Sequence, residues 1–287
     1  MLMQRVSTAL ILLLIVMGIL LGSDYRGWLG LTLVLTLLGQ WEYSRIVSMN
    51  TASKIVYLSV SLGLLLLLFY GDVKRFTMHL SGFDIGMTLS LLCWIVLVPY
   101  ILKRGIVLKN PLLTLPLGWL MFLPFAYYLG ALFFNKTKVG LDSLEQVNWL
   151  LLYLLLLVWW ADTAAYFVGK IWGRHKLVPR ISPGKSIEGL IGAIVSVMLY
   201  TALYYALLTY HLEQPFRWDR LLVWVLLSIP LTGVSVLGDL LESWLKRCAA
   251  VKDSSRLLPG HGGVYDRIDS WISVLAMYPL ISYCLQY

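Results

Sequence analysis

The sequence predicts an all-α fold, that of a polytopic integral membrane protein with about nine transmembrane helices. Three observations predict it. Hydrophobic residues make up 59% of the 287 and charged residues 13%, whereas a soluble domain carries about 25% charged residues. Mean hydropathy is +0.78. Apolar stretches of about 20 residues, enough to cross roughly 30 Å of hydrocarbon, recur along almost the whole chain and leave no separate soluble domain.

In chain order the stretches are approximately 7–22, 28–48, 55–70, 85–102, 112–134, 147–169, 187–210, 220–238 and 264–287. The first follows Met1-Leu2-Met3-Gln4-Arg5, a basic start suited to a signal peptide. Leu21-Gly22-Ser23-Asp24-Tyr25 lacks a small-x-small cleavage pattern, so the stretch reads as a retained helix. The next four, with short polar links at 71–75 and 135–138, form a Leu-rich scaffold over 1–145. Gln40, Glu42 and Tyr43 interrupt the second stretch, where Glu42 reads as an interfacial or packing carboxylate. From 146 to 287 polar groups enter the helices, and this region carries the chemistry within one integrated membrane domain.

The sixth stretch holds Asp162 well inside its apolar run, beside Thr163, Ala164, Ala165 and Gly169, a small surface on which another helix can approach closely. An intramembrane carboxylate is costly unless it is paired or belongs to a site. The connection after it, 169–189, reads as a basic loop ending in a helix start: Ser182 or Ser186 caps the helix and Pro183 suits its first turn. Gly184-Lys185-Ser186 resembles a phosphate loop only superficially, because the preceding glycine pattern and strand are missing. Lys185 nevertheless stands near a helix amino terminus, which favours an anion.

The formal charge of +8 is unevenly spread. Lys and Arg concentrate in alternate connections, which by the positive-inside rule puts the amino terminus and the 239–263 block at the cytoplasmic side and the carboxyl terminus outside. Cations bordering membrane segments are accounted for by topology and anionic lipid head groups, so no nucleic-acid partner is expected. Cys93, Cys248 and Cys284 have no metal-like spacing and form no disulfide framework.

The chemistry concentrates between Gly238 and Asp269. Asp239, Glu242, Ser243 and Lys246 are spaced to share one helix face, presenting two carboxylates, a hydroxyl and an ammonium. Pro259-Gly260-His261-Gly262-Gly263 cannot be regular helix; its glycines let backbone N–H groups approach a ligand. His261 could contact phosphate, orient a metal-bound water or hold the loop. Asp266 and Asp269, at i and i+3 of the last helix, point to one side and resemble a divalent-cation site of the oxygen-ligand type that Mg2+ prefers.

These residues carry a resemblance. Ser243-x-apolar-Lys246-Arg247, four spacers, Lys252-Asp253, then Pro259-Gly260-His261-Gly262-Gly263-apolar-x-Asp266-Arg267-apolar-Asp269 is similar to the signature of the phosphatidate cytidylyltransferase (CDP-diacylglycerol synthase) family. The similarity extends upstream through Ala161-Asp162-Thr163, Ser182-Pro183-Gly184-Lys185 and Gly238-Asp239, and into the amino-terminal half through hydropathy and Trp41-Glu42. Ser186-Ile187 stands where the family has Thr-Trp. The resemblance implies cytidylyl transfer from CTP to phosphatidate, giving CDP-diacylglycerol and pyrophosphate in phospholipid biosynthesis. It implies Asp239, Asp266 and Asp269 as ligands of Mg2+ and of a second, monovalent cation such as K+, with Lys246 also catalytic. Asp162, Lys185, Ser243, Lys246, Arg247, Lys252, Asp253, His261 and Arg267 then form the substrate-binding set. A homodimer in a bacterial inner membrane, with the active site facing the cytoplasm, is the implied setting.

Two other classes are weighed against this one. A transporter of an anionic substrate would show repeat-like halves with broken helices in corresponding positions, but the polar groups gather in the carboxyl-terminal half. A phosphotransferase acting on a polyprenyl or sugar phosphate is opposed by the resemblance alone.

Overall fold

The structure is a computed structural model that describes residues 25–75, 88–108, 110–134, 144–278 and 280–281, with a few positions between 10 and 19. The first expected helix over 7–22, the link at 135–138, Cys284 and the end of the last stretch lie wholly or largely outside the described residues.

The described elements run α1 (Tyr25–Ile46), α2 (Thr51–Arg75), a π-helical turn (Cys93–Leu97) leading into α3 (Val98–Arg104), α4 (Pro111–Phe134), α5 (Leu144–Trp172), β1 (Lys176–Val178), β2 (Ser182–Ser186), α6 (Ile187–His211), α7 (Trp218–Cys248) and α8 (Tyr265–Ala276). Among the described residues four helices are long and apolar enough to cross a membrane, over 111–130, 149–172, 187–211 and 218–248. The chain is thus an α-helical integral membrane protein, and four of the nine expected spans meet that criterion among the described residues. α1 falls short in hydropathy because Thr32, Thr36, Gln40, Glu42 and Ser44 interrupt its apolar run, and all five are buried, making it a polar-lined packing helix. α8 falls short because its regular helix ends after 12 residues.

The helices that do cross show why they are stable there. α6 exposes Ile191, Val195, Leu199, Leu203 and Leu207, a stripe at every fourth residue that faces lipid, while Ala193, Val197, Thr201 and Tyr204 turn inward. Its inward face meets α5 through small residues and aromatics: Tyr153 stacks on Tyr200 at 5.7 Å between ring centres, and Trp160 Nε1 donates to Ser196 Oγ at 2.7 Å. α1 is pinned to α4 by two long-range bonds, Trp28 Nε1 to the Leu129 carbonyl and Tyr43 Oη to the Thr114 carbonyl, both 2.7 Å. α8 sits at the centre, with most of its side chains buried and with α1, α4, α5 and α7 packed around it.

Two local expectations are corrected. The 170–185 connection is not a simple loop: β1 and β2 form an antiparallel hairpin in which Lys176 faces Ser186 and Val178 faces Ser182. Pro183 therefore lies in a strand rather than in a first helical turn, where its missing N–H is tolerated at the edge of a two-stranded ribbon. Ser186 alone caps α6, its hydroxyl accepting from the Gly189 amide at 3.1 Å, so serine here does the work a threonine would do. Glu188 closes the hairpin by accepting from the Arg174 and His175 amides at 3.1 Å and meeting His175 Nδ1 at 2.6 Å.

Candidate active site

Four segments meet at one end of the bundle: the carboxyl-terminal end of α7, the start of α8, the β2 strand and the 249–264 connection. α7 continues ten residues past the apolar stretch at 220–238, ending at Cys248, and so carries Asp239, Glu242, Ser243 and Lys246 on one helical face. Gly238 lets α8 approach: a Cβ there would stand 2.5 Å from the Asp269 carbonyl and 2.6 Å from Ser273 Oγ. That contact brings Asp239 beside Asp269. One carboxylate oxygen each from Asp239, Glu242 and Asp269 falls within 4.8 Å of the others, a grouping able to hold a metal ion.

The membership of this group differs from the aspartate set the sequence suggests. Glu242 enters it, 2% exposed, with Oε2 on Lys246 at 2.6 Å and Oε1 buried without a hydrogen-bond donor. Asp266 stays out because its oxygens are occupied. Oδ1 accepts from Lys246 Nζ at 2.6 Å, and Oδ2 accepts from the Ser254 amide at 2.9 Å, Ser254 Oγ at 2.7 Å and the Gly263 amide at 2.7 Å. The i, i+3 spacing of Asp266 and Asp269 does place both on one side of α8, but the two carboxylates meet different partners.

The lysines are likewise committed. Lys246, expected at a substrate phosphate, bridges Glu242 and Asp266 at 2.6 Å to each. Lys185 leaves β2 to reach Asp239 Oδ2 at 2.6 Å, which delivers the hairpin to the acid cluster. Ser243 donates to Asp239 Oδ1 at 3.1 Å. Asp162, on α5, lies within electrostatic reach of Asp239, Lys185 and Arg267, which puts it near the same cluster.

The remaining candidates line open surface. Lys252, Asp253, His261 and Arg267 border a concavity of about 600 Å³ with Arg256 and the Pro259–Gly262 turn. Arg267 Nη2 donates to the His261 carbonyl at 2.9 Å, which holds the turn, while the His261 Nδ1 atom is buried without a partner. Arg247 is exposed, with one bond from Nε to the Ile181 carbonyl at 3.4 Å that ties α7 to the hairpin. Among the described ion pairs none uses Arg247, Lys252, Arg256 or Arg267.

One participant comes from the scaffold half. Glu42 is fully buried and accepts from Ser254 Oγ at 2.9 Å, Ser255 Oγ at 2.5 Å, the Val264 amide at 3.0 Å and the Tyr265 amide at 2.6 Å. The sequence reading admitted a packing carboxylate at this position; its partners, more than 200 residues away, give no local signal.

An acid cluster, flanking ammoniums and an exposed basic concavity constitute a phosphate-handling arrangement, and comparison with known proteins says of which kind. Residues 3–286 match the cytidylyltransferase family. The chain belongs to that family. It is 35% identical over 298 residues to a phosphatidate cytidylyltransferase of Haemophilus influenzae, covering 99% of this chain and 98% of the relative. It is 33% identical over 293 residues to that of Pseudomonas aeruginosa, covering 97% and 96%. The phosphatidate cytidylyltransferase of Staphylococcus haemolyticus is 42% identical over 149 residues, about half of each chain. The cytidylyltransferase match thus spans both the Leu-rich half and the polar half, in keeping with Glu42 reaching from one into the other.

Proposed function

We infer that the chain is a phosphatidate cytidylyltransferase: it transfers the cytidylyl group of CTP to phosphatidate, releasing pyrophosphate and leaving CDP-diacylglycerol in the bilayer. The observation that carries this reading is the end-to-end similarity to relatives of that name, with the signature residues gathered at one end of the bundle. In the reaction a phosphate oxygen of phosphatidate bonds to the α-phosphorus of CTP as the bond from that phosphorus to the bridging oxygen of the β-phosphate breaks. The attacking oxygen is already anionic, so no covalent enzyme intermediate is needed and catalysis is positioning plus charge neutralisation.

Asp239, Glu242 and Asp269 are the residues we propose to hold Mg2+, and the donor set fits: three carboxylates, one oxygen of which is buried without a donor. When bound, the cation would neutralise phosphate charge in the transition state. A monovalent ion such as K+ is proposed to share the cluster. Lys185 and Lys246 hold the carboxylates in place through their ion pairs. Arg247 and Lys252, which form no ion pair among the described residues, and Arg267, which also lies within electrostatic reach of Asp162, are proposed to bind the phosphates of CTP and the lipid head group. Asp253 and His261 border the same concavity, and Asp162 closes the cleft from α5.

The setting completes the reading: nine crossings of a bacterial inner membrane, a scaffold over 1–145 and a catalytic region over 146–287, the site facing the cytoplasm where CTP is found, and a homodimer. The test is purified protein with labelled CTP and phosphatidate, with and without Mg2+. Lipid-soluble cytidylate and pyrophosphate should appear only with the cation, and Asp239→Asn should abolish them in protein that still purifies. A full rate after EDTA treatment refutes the metal assignment, and no product at any cation concentration refutes the function.

A further inference from the structure

We propose that Glu42, from the amino-terminal helix α1, is a positioning residue for the cation cluster, acting through the first turn of α8 and the 254–255 segment. The inference rests on the proposed assignment of the acid cluster as a metal site.

A carboxylate with no exposed surface and no ion-pair partner among the described residues is an expensive element. Loss of hydration costs several kcal/mol for an ion, and an apolar side chain of similar size would pack without that cost. What Glu42 has in return is four donors converging from two separate segments: the hydroxyls of Ser254 and Ser255, and the amides of Val264 and Tyr265. The two amides belong to the amino-terminal turn of α8, where orphan N–H groups and the helix dipole favour an anion. Glu42 therefore fixes where α8 begins and how it is rotated. Rotation is what matters, because Asp266 is the next residue after Tyr265 and Asp269 lies about one turn further on.

Ser254 links this anchor to the site. Its amide and hydroxyl both reach Asp266 Oδ2, while the same hydroxyl lies 2.9 Å from Glu42 Oε2. Asp266 in turn holds Lys246, and Lys246 holds Glu242 of the cluster. A chain of charge-assisted contacts thus runs from α1 to a proposed metal ligand on α7. Gly263 is the condition for it: a Cβ there would stand 2.5 Å from both Glu42 carboxylate oxygens and overlap Ser254 Oγ. Removal of the partners that orient metal ligands typically costs about 10–100-fold in metal affinity or activity, and Glu42 is placed to act at that remove.

The test compares wild type, Glu42→Gln and Ser255→Ala as full-length protein in detergent micelles, alongside Asp239→Asn. Glu42→Gln keeps the shape but turns one acceptor into a donor facing donors. We expect it to raise the Mg2+ concentration for half-maximal rate about tenfold and to lower kcat about tenfold, with KM for CTP and phosphatidate within about twofold. Cation-free protein should show faster amide exchange over 263–269, a readout independent of turnover. Ser255→Ala, which removes one donor on the side away from Asp266, should move the same quantities in the same direction by less, and it stands in if Glu42→Gln does not fold. Wild-type Mg2+ dependence and exchange in a folded Glu42→Gln overturn the proposal, as does a loss of rate that follows thermal stability alone. If Asp239→Asn leaves the Mg2+ dependence unchanged, the cation-site assignment falls; if only Glu42→Gln does so, the positioning role falls alone.

Discussion

Gly238→Ala adds a single methyl group at a close approach between α7 and α8. Its Cβ would lie 2.5 Å from the Asp269 carbonyl oxygen and 2.6 Å from Ser273 Oγ, where ordinary contact begins near 3.4 Å. The obstacle includes backbone, which cannot rotate aside as a side chain would, so the helices must part by about 1 Å. Asp239 rides on one helix and Asp269 on the other, so the shift passes directly into the cluster whose oxygens lie within 4.8 Å. A misplacement of about 1 Å in a reacting constellation costs about 100-fold in rate, or ~2.7 kcal/mol of barrier. Gly233→Ala on the same helix is the control, because nothing lies within 4 Å of its added Cβ; there the better helix propensity of alanine adds up to ~1 kcal/mol of stability. The assay is the formation of CDP-diacylglycerol at saturating CTP and phosphatidate, repeated across Mg2+ concentrations, with thermal unfolding measured in parallel. A Gly238→Ala rate within threefold of wild type would refute the reasoning, and so would an equal loss in Gly233→Ala.

Ser254→Ala should be mild despite its central place. Its one hydroxyl proton is shared between two carboxylates that each keep three other donors, so the stability loss should be ~1 kcal/mol by thermal unfolding; a loss of activity beyond tenfold would show that this proton does more than bridge. Asp266→Asn and Asp269→Asn should part in sign when unfolding is followed in EDTA. In Asp266→Asn the new amide must face either Lys246 or the Ser254 and Gly263 amides, so the protein should lose about 3–5 kcal/mol, whereas Asp269→Asn removes a like charge from the cluster and should leave stability equal or higher. Shifts of the same sign and size in both would undo the separate roles assigned to the two residues.

Much of this architecture is legible from hydropathy alone. The stretches at 112–134 and 187–210 coincide with α4 (Pro111–Phe134) and α6 (Ile187–His211) within a residue or so, because in a bilayer the apolar run and the hydrogen-bonded helix are the same length requirement. The end of α7 is less legible by that signal, since polarity rises at Asp239 while the backbone stays helical; the helical spacing of Asp239, Glu242 and Lys246 carries the information instead. The hairpin at 176–186 escapes a periodicity reading because two short strands of mixed burial have no apolar alternation. Glu242 was visible on the right face, but spacing does not say which carboxylates a second helix will bring near. Glu42 is the extreme case: its donors stand 212 to 223 positions away, and only packing makes them neighbours.

The charge pattern explains why the lysines and arginines divide their work. Asp239, Glu242, Asp266 and Asp269 bring four carboxylates to one place, and Lys185 and Lys246 are the ammoniums paired with them. Formally two negative charges remain, and counting Asp162 of α5 with Arg267 of α8, which lie within electrostatic reach of each other, leaves that difference unchanged. Bound cations would offset it. The lysines inside the cluster are thereby spent on the protein's own carboxylates and have little attraction left for an incoming phosphate. A triphosphate and a lipid phosphate bring several further negative charges, which must be met by cations not already neutralised. Arg247, Lys252 and Arg256, exposed and without described ion pairs, are the cations proposed to fill that need at the mouth of the site. In the proposed site, recognition of phosphate and organisation of the acid cluster therefore fall to different cations, although Lys246, Arg247, Lys252 and Arg256 stand in one block of the sequence.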